Sequence, residues 1–499
     1  MGSTSPFPAH LAERLPVGES GAPCVAQSDV FFPYDGSVIG RAPVADAAMA
    51  RRALDAAAAA APAVAAASSG TRRAVLTDIQ GALAERSADL QELLVLETGK
   101  PAVDCAVEVA RTLTTWQAAA DEVTRMTGET VPLDLQPLGT GMLGYFTRRP
   151  AGVVVGIAGF NYPVLLASHK IAPALAAGCP IVLKPSPDTP LATLWMVDVI
   201  RDVLAAHGLP RTAVQLVNGG TEVGEALVDD PRTAVVSFTG SAAVGHRIAR
   251  AAAPRKAVLE LGSNTGLIVD ADADLDAAVD AVIRGAFYAN GQACISVQRV
   301  VLVEAIAGEF AERLAARLPE VVVGDPRDPA TRVAPVINAA SAARINAWVD
   351  EALADGAREL AGGARELAGG APGDPAGRED ALVRPTVLTG VSRKSPLWCE
   401  EIFGPVVCLD TVADMDEAID LVNDSRYGLQ AAVYTRSLAN AFAAVNRLDV
   451  GGVVVNEIPG FRSDIMPYGG VKDSGVGREG PRWAIEEFTV SRMAMIRPA

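Results

Sequence analysis

Short apolar runs rich in β-branched residues alternate with longer, helix-like segments, and this alternation limits the chain to one class of fold. The runs occupy residues 151–159, 180–184, 213–217 and 234–238. Runs that are apolar throughout indicate strands buried on both faces, as in a parallel sheet covered by helices. We therefore predict an α/β fold built on a parallel sheet.

The alternation extends beyond this region in both directions. Residues 256–261 and 265–270 continue it, and a second α/β series runs from about residue 275 to 446. Residues 45–122 have helical periodicity. The chain has 499 residues, of which 50% are hydrophobic, and this is enough for two or three domains with sizeable cores. We place a domain boundary near Glu260, where the register of the alternation changes.

Composition excludes several classes of function. The formal net charge is −16, which makes the chain a poor candidate for binding a nucleic-acid backbone, because that needs clustered Lys and Arg. Its six cysteines lie far apart without C-x-x-C spacing and it has four histidines, so no metal site is expected. Reduced thiols in a cytoplasmic protein are the expectation for a chain of this size. No signal peptide or membrane-spanning stretch is visible.

Cys294 is the first candidate for chemistry. It lies in the segment 290–296 (NGQACIS), where glycine and small residues let the backbone turn closely and leave the sulfur accessible. A thiolate is the most nucleophilic side chain at neutral pH and adds readily to an aldehyde carbon. The local sequence is also typical of a small buried cysteine. Both interpretations stay open on this segment alone.

Glu260 is the second candidate, in the segment 258–262 (VLELG). A carboxylate at the end of an apolar strand is costly to bury unless it is paired or used. If used, it would be a general base whose pKa is raised by apolar surroundings. If paired, it would be a structural ion-pair partner, and the local sequence leaves the two interpretations equal.

Three further positions have the chemistry of ligand contacts. Asn161, after a glycine turn, has an amide that can donate to a developing oxyanion, although asparagine is also an ordinary loop residue. Residues 238–245 (FTGSAAVG) lead from a strand into a helix, where backbone N–H groups suit a pyrophosphate. Lys184 ends an earlier strand and either donates to a ribose hydroxyl or is an exposed lysine.

Taken together, these segments resemble the aldehyde dehydrogenase superfamily over nearly the whole chain. Nine stretches match in the family's order: 96–101 (LETGKP), 160–163 (FNYP), 170–178 (KIAPALAAG), 183–186 (LKPS), 238–241 (FTGS), 259–262 (LELG), 291–294 (GQAC), 401–405 (EIFGP) and 467–475 (PYGGVKDSG). Any one of them is a weak signal, but nine in order leave little room for coincidence.

The resemblance implies catalytic roles for four residues. Cys294 would be the nucleophile, and Glu260 would activate the water that hydrolyses an acyl-thioester. Asn161 and the backbone N–H of Cys294 would form the oxyanion hole, and Lys170 would belong to a proton relay. The activity implied is oxidation of an aldehyde to a carboxylic acid with reduction of NAD or NADP through a cysteine thiohemiacetal.

The resemblance also implies a set of cofactor contacts. They fall at Lys184, Ser186, Gly240, Ser241, Gly245, Gly262, Glu401 and Phe403. Among these, Lys184 would bind the adenine ribose, Ser241 the pyrophosphate and Glu401 the nicotinamide ribose. No metal is implied.

Two positions depart from the family's pattern. Ser263 stands where the family usually has a second glycine, which places a hydroxymethyl group where backbone runs close to the nicotinamide. Pro187 stands where many NAD-using members have a glutamate that repels a 2′-phosphate. Without that glutamate NADP is not excluded, so the cofactor is NAD or NADP.

The carboxyl-terminal segments resemble the lactaldehyde and phosphonoacetaldehyde dehydrogenase branches. Arg462 lies in residues 455–462 (VNEIPGFR), and Arg111 lies upstream in residues 108–111 (EVAR). Either arginine can bind an anionic group on a small aldehyde, or both are paired or solvated. A small polar or anionic aldehyde is therefore the expected substrate.

Three alternatives stay open. An acylating dehydrogenase would pass the acyl group to coenzyme A, although Glu260 favours water as the acceptor. A semialdehyde dehydrogenase of amino-acid catabolism would differ only in substrate. A non-catalytic structural or binding protein on the same fold, as in some crystallins, would not need Cys294, Glu260 and Asn161 together.

The resemblance implies an aldehyde dehydrogenase fold with a Rossmann-like cofactor domain (1–128 and 150–258) and an α/β catalytic domain (259–450). A small β oligomerisation arm would comprise 129–149 and 481–499, and residues 451–480 would border the substrate entrance. Because an isolated arm leaves exposed strand edges, a homodimer or homotetramer is expected. The tandem repeat GARELAG at 356–369 is read as a tolerated surface insertion.

Overall fold

The structure is a computed structural model that describes residues 5–360 and 381–498. Within those ranges it contains fifteen α-helices. They are α1 (Ala47–Ala66), α2 (Ser69–Ala84), α3 (Ser87–Thr98), α4 (Ala102–Glu122), α5 (Pro163–Ala177), α6 (Leu191–Ala206), α7 (Thr221–Val228), α8 (Ala242–Ala252), α9 (Leu275–Phe287), α10 (Glu304–Arg317), α11 (Ala339–Ala354), α12 (Pro396–Cys399), α13 (Met415–Asn423), α14 (Leu438–Arg447) and α15 (Pro481–Glu487).

The same ranges contain twenty-two strands. They are β1 (Arg14–Leu15), β2 (Ala22–Pro23), β3 (Ala26–Phe31), β4 (Val38–Val44), β5 (Glu129–Thr130), β6 (Leu143–Pro150), β7 (Val153–Ile157), β8 (Ile181–Lys184), β9 (Val214–Leu216), β10 (Thr233–Thr239), β11 (Lys256–Glu260), β12 (Gly266–Val269), β13 (Arg299–Val303), β14 (Arg358–Glu359), β15 (Thr386–Thr389), β16 (Val406–Val412), β17 (Tyr427–Gly428), β18 (Gln430–Tyr434), β19 (Gly452–Val455), β20 (Val471–Lys472), β21 (Gly475–Val476) and β22 (Thr489–Ile496).

The first large sheet has six strands in the order β21-β11-β10-β7-β8-β9. Strands β7 to β11 are mutually parallel where they pair. Successive residues of one strand enter different apolar clusters: Val154 packs in one, and Val153 and Val155 pack in another. Because both faces are buried, the strands read as continuous apolar runs. The predicted α/β fold on a parallel sheet is confirmed.

One edge of this sheet comes from a distant part of the chain. Strand β21 pairs antiparallel with β11, so that Leu259 faces Val476 and Glu260 faces Gly475. The pairing brings the segment around residues 468–479 against the end of the strand that carries Glu260. No local pattern in the sequence predicts it.

The second large sheet has seven strands in the order β14-β15-β16-β13-β12-β18-β19. All neighbours pair in parallel except β14, which is antiparallel to β15. The chain leaves the first sheet at Glu260 and enters the second at Gly266. The proposed domain boundary near Glu260 falls in this stretch, and the division into domains stays a prediction.

A third sheet has three antiparallel strands in the order β22-β6-β5. Its strands β6 and β22 pair along eight residues each. The strands belong to the two segments predicted to form the oligomerisation arm. Residues 361–369, which hold most of the repeated GARELAG segment, lie outside the described residues. Among the described helices, none is both long enough and apolar enough to cross a membrane.

Buried glutamates satisfy the first turns of two helices. Glu97, in the segment LETGKP, accepts hydrogen bonds from the backbone N–H groups of Leu191 and Ala192 at the start of α6. Burial raises the pKa of Glu97 to about 8, although these two donors act against that rise. The segment therefore has a structural role at a helix end that lacks intrahelical partners.

Glu108, on α4, joins three parts of the fold. Its carboxylate pairs with the ammonium of Lys100 and accepts the backbone N–H groups of Val164 at 3.0 Å and Leu165 at 3.3 Å. Lys100 and Glu108 are 2% and 0% exposed. The pair therefore anchors the first turn of α5, the helix that carries Lys170.

Replacing Glu108 with glutamine is expected to lower the free energy of unfolding by about 3–5 kcal/mol, because Lys100 would become a buried, unpaired cation. Glu309→Gln is the matched control, since Glu309 pairs with Arg313 at the exposed surface and its loss should cost less than about 1 kcal/mol. Denaturant titration at a fixed protein concentration compares the two variants. Equal stabilities would contradict the proposed role of Glu108.

Candidate active site

A cavity of about 480 Å³, here called the central cavity, lies between the two large sheets. The sequence-predicted residues that line it come from separate parts of the chain: Arg111, Asn161, Gly240, Ser241, Glu260, Gly262, Cys294, Glu401, Phe403 and Arg462. Glu260 is the last residue of β11 and Gly240 directly follows the parallel strand β10, so both lie at the carboxyl ends of strands, which is where α/β sheets bind ligands.

The turn before Cys294 has an unusual backbone. Ala289, Asn290 and Gly291 all have positive φ, at 49°, 61° and 69°. Asn290 holds the turn, because its amide donates to the carbonyl oxygens of Gly99 and Pro335 at 3.2 and 2.9 Å. A side chain at position 291 would clash with the backbone of Gly404. The glycine before the cysteine is therefore required by close packing as well as by backbone conformation.

The Cys294 sulfur faces the central cavity and lies 3.1 Å from the hydroxyl oxygen of Tyr468. Burial raises the pKa of the Cys294 thiol to about 11, while the hydrogen bond with Tyr468 lowers it. Glu401 and Glu260 raise it further, and Arg462 lowers it. In this state the sulfur is a protonated thiol at neutral pH, so its activation needs a nearby positive charge or a base.

Glu260 ends β11 with its carboxyl group in the central cavity. Both carboxyl oxygens are buried and have no hydrogen-bond partner in the described part of the chain. Burial raises the pKa of Glu260 well above its usual range, and the negative charge of Glu479 adds to the rise. No ion pair with Glu260 is found among the described residues, and its role as a general base stays a prediction.

Asn161 and Cys294 lie on the same cavity wall. The Asn161 amide donates to the carbonyl oxygen of Gln292 at 2.8 Å, two residues before the cysteine. This contact uses one of the two amide hydrogens and orients the other. The predicted oxyanion role of Asn161 stays a prediction.

Lys170 lies behind the cavity wall and is 0% exposed. Its ammonium donates to the carboxylate of Glu479 at 3.0 Å and to the hydroxyl of Thr239 at 2.7 Å. Burial opposes ionisation of Glu479, but Lys170 and His169 outweigh it and hold the pKa of Glu479 well below its usual range. A buried lysine and an ionised carboxylate next to the cavity are suited to relaying protons, and the role predicted for Lys170 stays a prediction.

Arg462 and Arg111 are paired, which is one of the two interpretations that the sequence left open. Arg111 donates through two nitrogens to Asp464 at 3.0 and 2.8 Å. Arg462 donates to Glu479 at 3.3 Å, and its Nε has no partner in the described residues. Both arginines also line the central cavity. Pairing and ligand binding therefore do not exclude each other here.

Four residues that contribute to this site were missed by sequence reasoning. They are His169, Asp464, Tyr468 and Glu479. His169 contacts the carboxylates of Asp464 at 3.2 Å and Glu479 at 3.3 Å. Tyr468 and Glu479 lie within glycine-rich segments that the sequence showed clearly, but their approach to Cys294 and Lys170 depends on the pairing of β21 with β11.

A second cavity of about 440 Å³, here called the side cavity, lies between α7 and α8. Lys184 and Pro187 line it with apolar residues that include Phe238 and Ile248. Burial lowers the pKa of Lys184 to about 8. Lys184 is therefore a buried strand-end lysine facing a cavity, and the exposed alternative is wrong.

The other predicted cofactor positions surround the first turn of α8 and the end of β11. Ser241 precedes α8, and Gly240 donates its backbone N–H to the Glu260 carbonyl at 3.1 Å. Gly245 faces the side chain of Leu261. Ser186 contacts Asp188 and lines neither of these two cavities. Its predicted cofactor contact stays a prediction.

Glu401 and Phe403 border the central cavity opposite Ser241. Glu401 accepts the backbone N–H of Ser263 at 3.1 Å, and burial raises its pKa to about 7. A side chain at Gly262 would clash with the Glu401 carboxylate. Phe403 has φ of 53° and packs edge-on against Phe160. The cofactor contacts predicted for Glu401 and Phe403 stay predictions.

Ser263 differs from the family's glycine without filling the cavity. Its side chain is buried, and its hydroxyl lies 3.2 Å from that of Thr265. The hydroxyl has a hydrogen-bond partner away from the cavity wall. The extra side chain is therefore accommodated by the fold.

Comparison with known proteins agrees with the site. Residues 23–494 match the model of the aldehyde dehydrogenase family. The chain is similar to the 3-sulfolactaldehyde dehydrogenase of Priestia aryabhattai, with 38% identity over 427 residues that cover 85% of this chain and 86% of the relative. It is also similar to the lactaldehyde dehydrogenase of Methanococcus aeolicus, with 34% identity over 92% of this chain and 95% of the relative.

Among solved structures, the chain resembles the glyceraldehyde-3-phosphate dehydrogenase GapN of Methanocaldococcus jannaschii in complex with NADP. The two share 34% identity with a TM-score of 0.88, and the match covers 95% of this chain and 100% of the other. These findings confirm the resemblance to the lactaldehyde dehydrogenase-like branch that the motifs indicated.

Proposed function

The chain belongs to the aldehyde dehydrogenase family, as an NAD(P)-dependent aldehyde dehydrogenase, and we propose that its substrate is a small aldehyde that carries an anionic group. The observation that carries this proposal is a group of charged side chains beside the part of the central cavity that Arg111 and Arg462 line. Arg111 is paired there with Asp464, and Lys170 and Arg462 share the carboxylate of Glu479.

These ion pairs join three cationic side chains to two carboxylates, so one cation has no carboxylate of its own. Burial raises the pKa of Glu260, which disfavours a further negative charge beside these pairs. A substrate anion near Arg462 would compensate the excess charge and would find the Nε donor without a partner. Charge-assisted hydrogen bonds to a guanidinium are strong and directional.

The relatives support an anionic substrate. The names of two of them specify a sulfonated and a phosphorylated aldehyde, namely 3-sulfolactaldehyde and glyceraldehyde-3-phosphate. A third acts, by its name, on the uncharged lactaldehyde. The proposal therefore covers small polar aldehydes and favours those with an anionic group.

In the proposed reaction, the Cys294 thiol loses its proton to solvent, and the thiolate attacks the aldehyde carbon to form a thiohemiacetal. Its oxyanion is stabilised by Asn161 and the backbone N–H of Cys294. A dinucleotide held by Lys184, the first turn of α8 and Glu401 would supply the hydride acceptor for this oxidation, after which Cys294 carries the acyl group as a thioester. Glu260 takes a proton from water, and the resulting hydroxide attacks the thioester and releases the acid. Lys170 and Glu479 exchange protons with Glu260 between turnovers.

The residues present fit either dinucleotide. Lys184 in the side cavity would bind the adenine ribose, the first turn of α8 would hold the pyrophosphate and Glu401 would bind the nicotinamide ribose. Pro187 supplies no charge against a 2′-phosphate. The proposed cofactor is therefore either NAD or NADP.

We also propose that the chain forms a homodimer or homotetramer through its three-stranded arm. Several apolar side chains of the arm are exposed, among them Leu143, Val490 and Met495. Among the described residues, strand β19 is an edge of the second large sheet, and an arm strand from a second copy would cover it. A cytoplasmic location is proposed because all six cysteines are free thiols.

Replacing Arg462 with alanine is expected to lower kcat/KM for an anionic aldehyde roughly tenfold to a hundredfold, the loss of one charge-assisted hydrogen bond. The assay is NAD(P)H absorbance over aldehydes bearing sulfonate, phosphate, carboxylate or hydroxyl groups, with each dinucleotide. A neutral aldehyde of the same length should lose less, because it makes no ionic contact. Arg111→Ala is expected to act in the same direction, and Arg482→Ala at the surface is the control.

The proposal of an anionic substrate fails if the preference for anionic over neutral aldehydes is the same in wild type, Arg462→Ala and Arg111→Ala. The same set of aldehydes tests the alternative of a semialdehyde dehydrogenase of amino-acid catabolism. In that case the aldehydes that bear a carboxylate would have the highest kcat/KM.

A further inference from the structure

Tyr468 contacts both Cys294 and Arg462, although the mechanism above assigns it no role. Its hydroxyl oxygen lies 3.1 Å from the Cys294 sulfur, and the Arg462 guanidinium lies 3.6 Å from the centre of its ring. One side chain thus joins the proposed nucleophile to the proposed anion-binding arginine.

The position of the Tyr468 ring is well determined by the fold. Its backbone N–H and carbonyl form hydrogen bonds of 3.1 and 2.7 Å with the backbone of Glu479. The ring packs with Ile295 and Leu429 and is 3% exposed. Because these contacts are apolar or involve only the backbone, they leave the Tyr468 hydroxyl available for a hydrogen bond with the Cys294 sulfur.

The direction of the hydrogen bond depends on the state of the sulfur. A thiol is a weak donor, and a thiolate has no proton to donate. Once Cys294 is ionised, the Tyr468 hydroxyl must be the donor. A cation over the face of a phenol ring withdraws electron density from it, so Arg462 makes this hydroxyl a stronger donor.

We propose that Tyr468 is a positioning residue for the Cys294 thiolate: its hydroxyl donates to the sulfur, and the stacked Arg462 strengthens that donation. The hydrogen bond favours the reactive ionised form and holds the sulfur toward the cavity. This inference rests on Cys294 as the proposed nucleophile, which turnover of Cys294→Ser tests separately.

Several other groups act on the same sulfur and must be considered with Tyr468. Glu401 and Glu260 disfavour the thiolate, and Arg462 favours it. Tyr288 is a second phenol that lines the central cavity, and among the described residues the phenol hydroxyl bonded to the Cys294 sulfur is that of Tyr468. Tyr288 therefore offers a matched control, because it has the same chemistry without a bond to the sulfur.

The test is the pH dependence of Cys294 alkylation by iodoacetamide, followed by mass spectrometry of the peptide that contains Cys294. In Tyr468→Phe the ring is retained and one hydrogen bond to a charged group is lost. The alkylation midpoint is expected to rise by about one pH unit or more, which is about tenfold slower labelling on the ascending limb. Tyr288→Phe is expected to leave the midpoint in place.

An unchanged midpoint in Tyr468→Phe, with melting temperature like that of wild type, overturns the proposal. An equal rise in Tyr288→Phe also overturns it, because the effect would then belong to cavity polarity. The contribution of Arg462 is read from Arg462→Gln alone and combined with Tyr468→Phe. A smaller effect of Arg462→Gln in the combined variant supports strengthening through the ring, and an equal effect rejects it.

Discussion

Replacing Cys294 with serine is expected to lower kcat for aldehyde oxidation by on the order of 10⁴-fold. The physical reason is the much higher pKa of an alcohol than of a thiol. Burial already raises the pKa of the Cys294 thiol to about 11, and the same burial would disfavour a serine alkoxide still more. NAD(P)H formation under saturating aldehyde and cofactor measures the loss.

The matched control is Cys24→Ser. The Cys24 thiol donates to the Glu13 carbonyl at 3.5 Å and lines neither the central nor the side cavity. Wild-type turnover is expected for this variant, and iodoacetamide should still inactivate it. Turnover of Cys294→Ser comparable to that of wild type would refute the covalent mechanism.

Replacing Glu260 with glutamine is expected to slow steady-state turnover by about 10²–10⁴-fold while leaving the first hydride transfer largely intact. Glutamine has nearly the same shape but cannot take a proton from water, so the thioester on Cys294 should accumulate. Rapid mixing should then show a burst of NAD(P)H approaching one equivalent per active site, followed by a slow phase.

Hydroxylamine distinguishes a variant that has lost only its general base from one whose active site is disrupted. It attacks a thioester without needing a general base, so it should accelerate the slow phase of Glu260→Gln more than turnover of wild type. If the burst is absent and hydroxylamine has no effect, Glu260 acts before the thioester forms and its proposed role is wrong. Coenzyme A in place of hydroxylamine tests the acylating alternative.

The pH dependence of the deacylation rate is a further test of the role of Glu260. Water activation requires the carboxylate, and burial raises the pKa of this carboxyl well above its usual range. The rate of deacylation should therefore fall as pH decreases through that raised pKa, on a limb above the range of an ordinary glutamate. Glu260→Gln is expected to lose this limb, and its persistence in the variant would assign the limb to another group.

The first large sheet could be predicted because the apolar composition of its strands reflects their burial on both faces. Residues 181–184 are apolar up to the final lysine because both faces of β8 are covered. Strand β21 could not be predicted, because it has two residues and pairs with β11 across more than two hundred positions. Such a pairing depends on the packing of the whole second sheet.

The residues of the candidate site also fall into those that the sequence could predict and those that it could not. Cys294, Glu260 and Asn161 stand in motifs whose residue types carry their chemistry. His169, Asp464 and Tyr468 do not, because a histidine, an aspartate and a tyrosine are ordinary in loops and helices. Their importance appears only in distances, such as the 3.1 Å between the Tyr468 hydroxyl and the Cys294 sulfur.

The amino-acid sequence by itself determined the α/β class and the identities of a thiol, a carboxylate and an amide suited to one reaction, because hydrophobic patterning and side-chain chemistry are local properties. The tertiary structure alone decided which charges meet. It paired Arg462 with Glu479 and Arg111 with Asp464, and it left the Glu260 carboxyl without a partner. The strength of an electrostatic contact depends on distance and burial, and both are set by the packing of segments far apart in the chain.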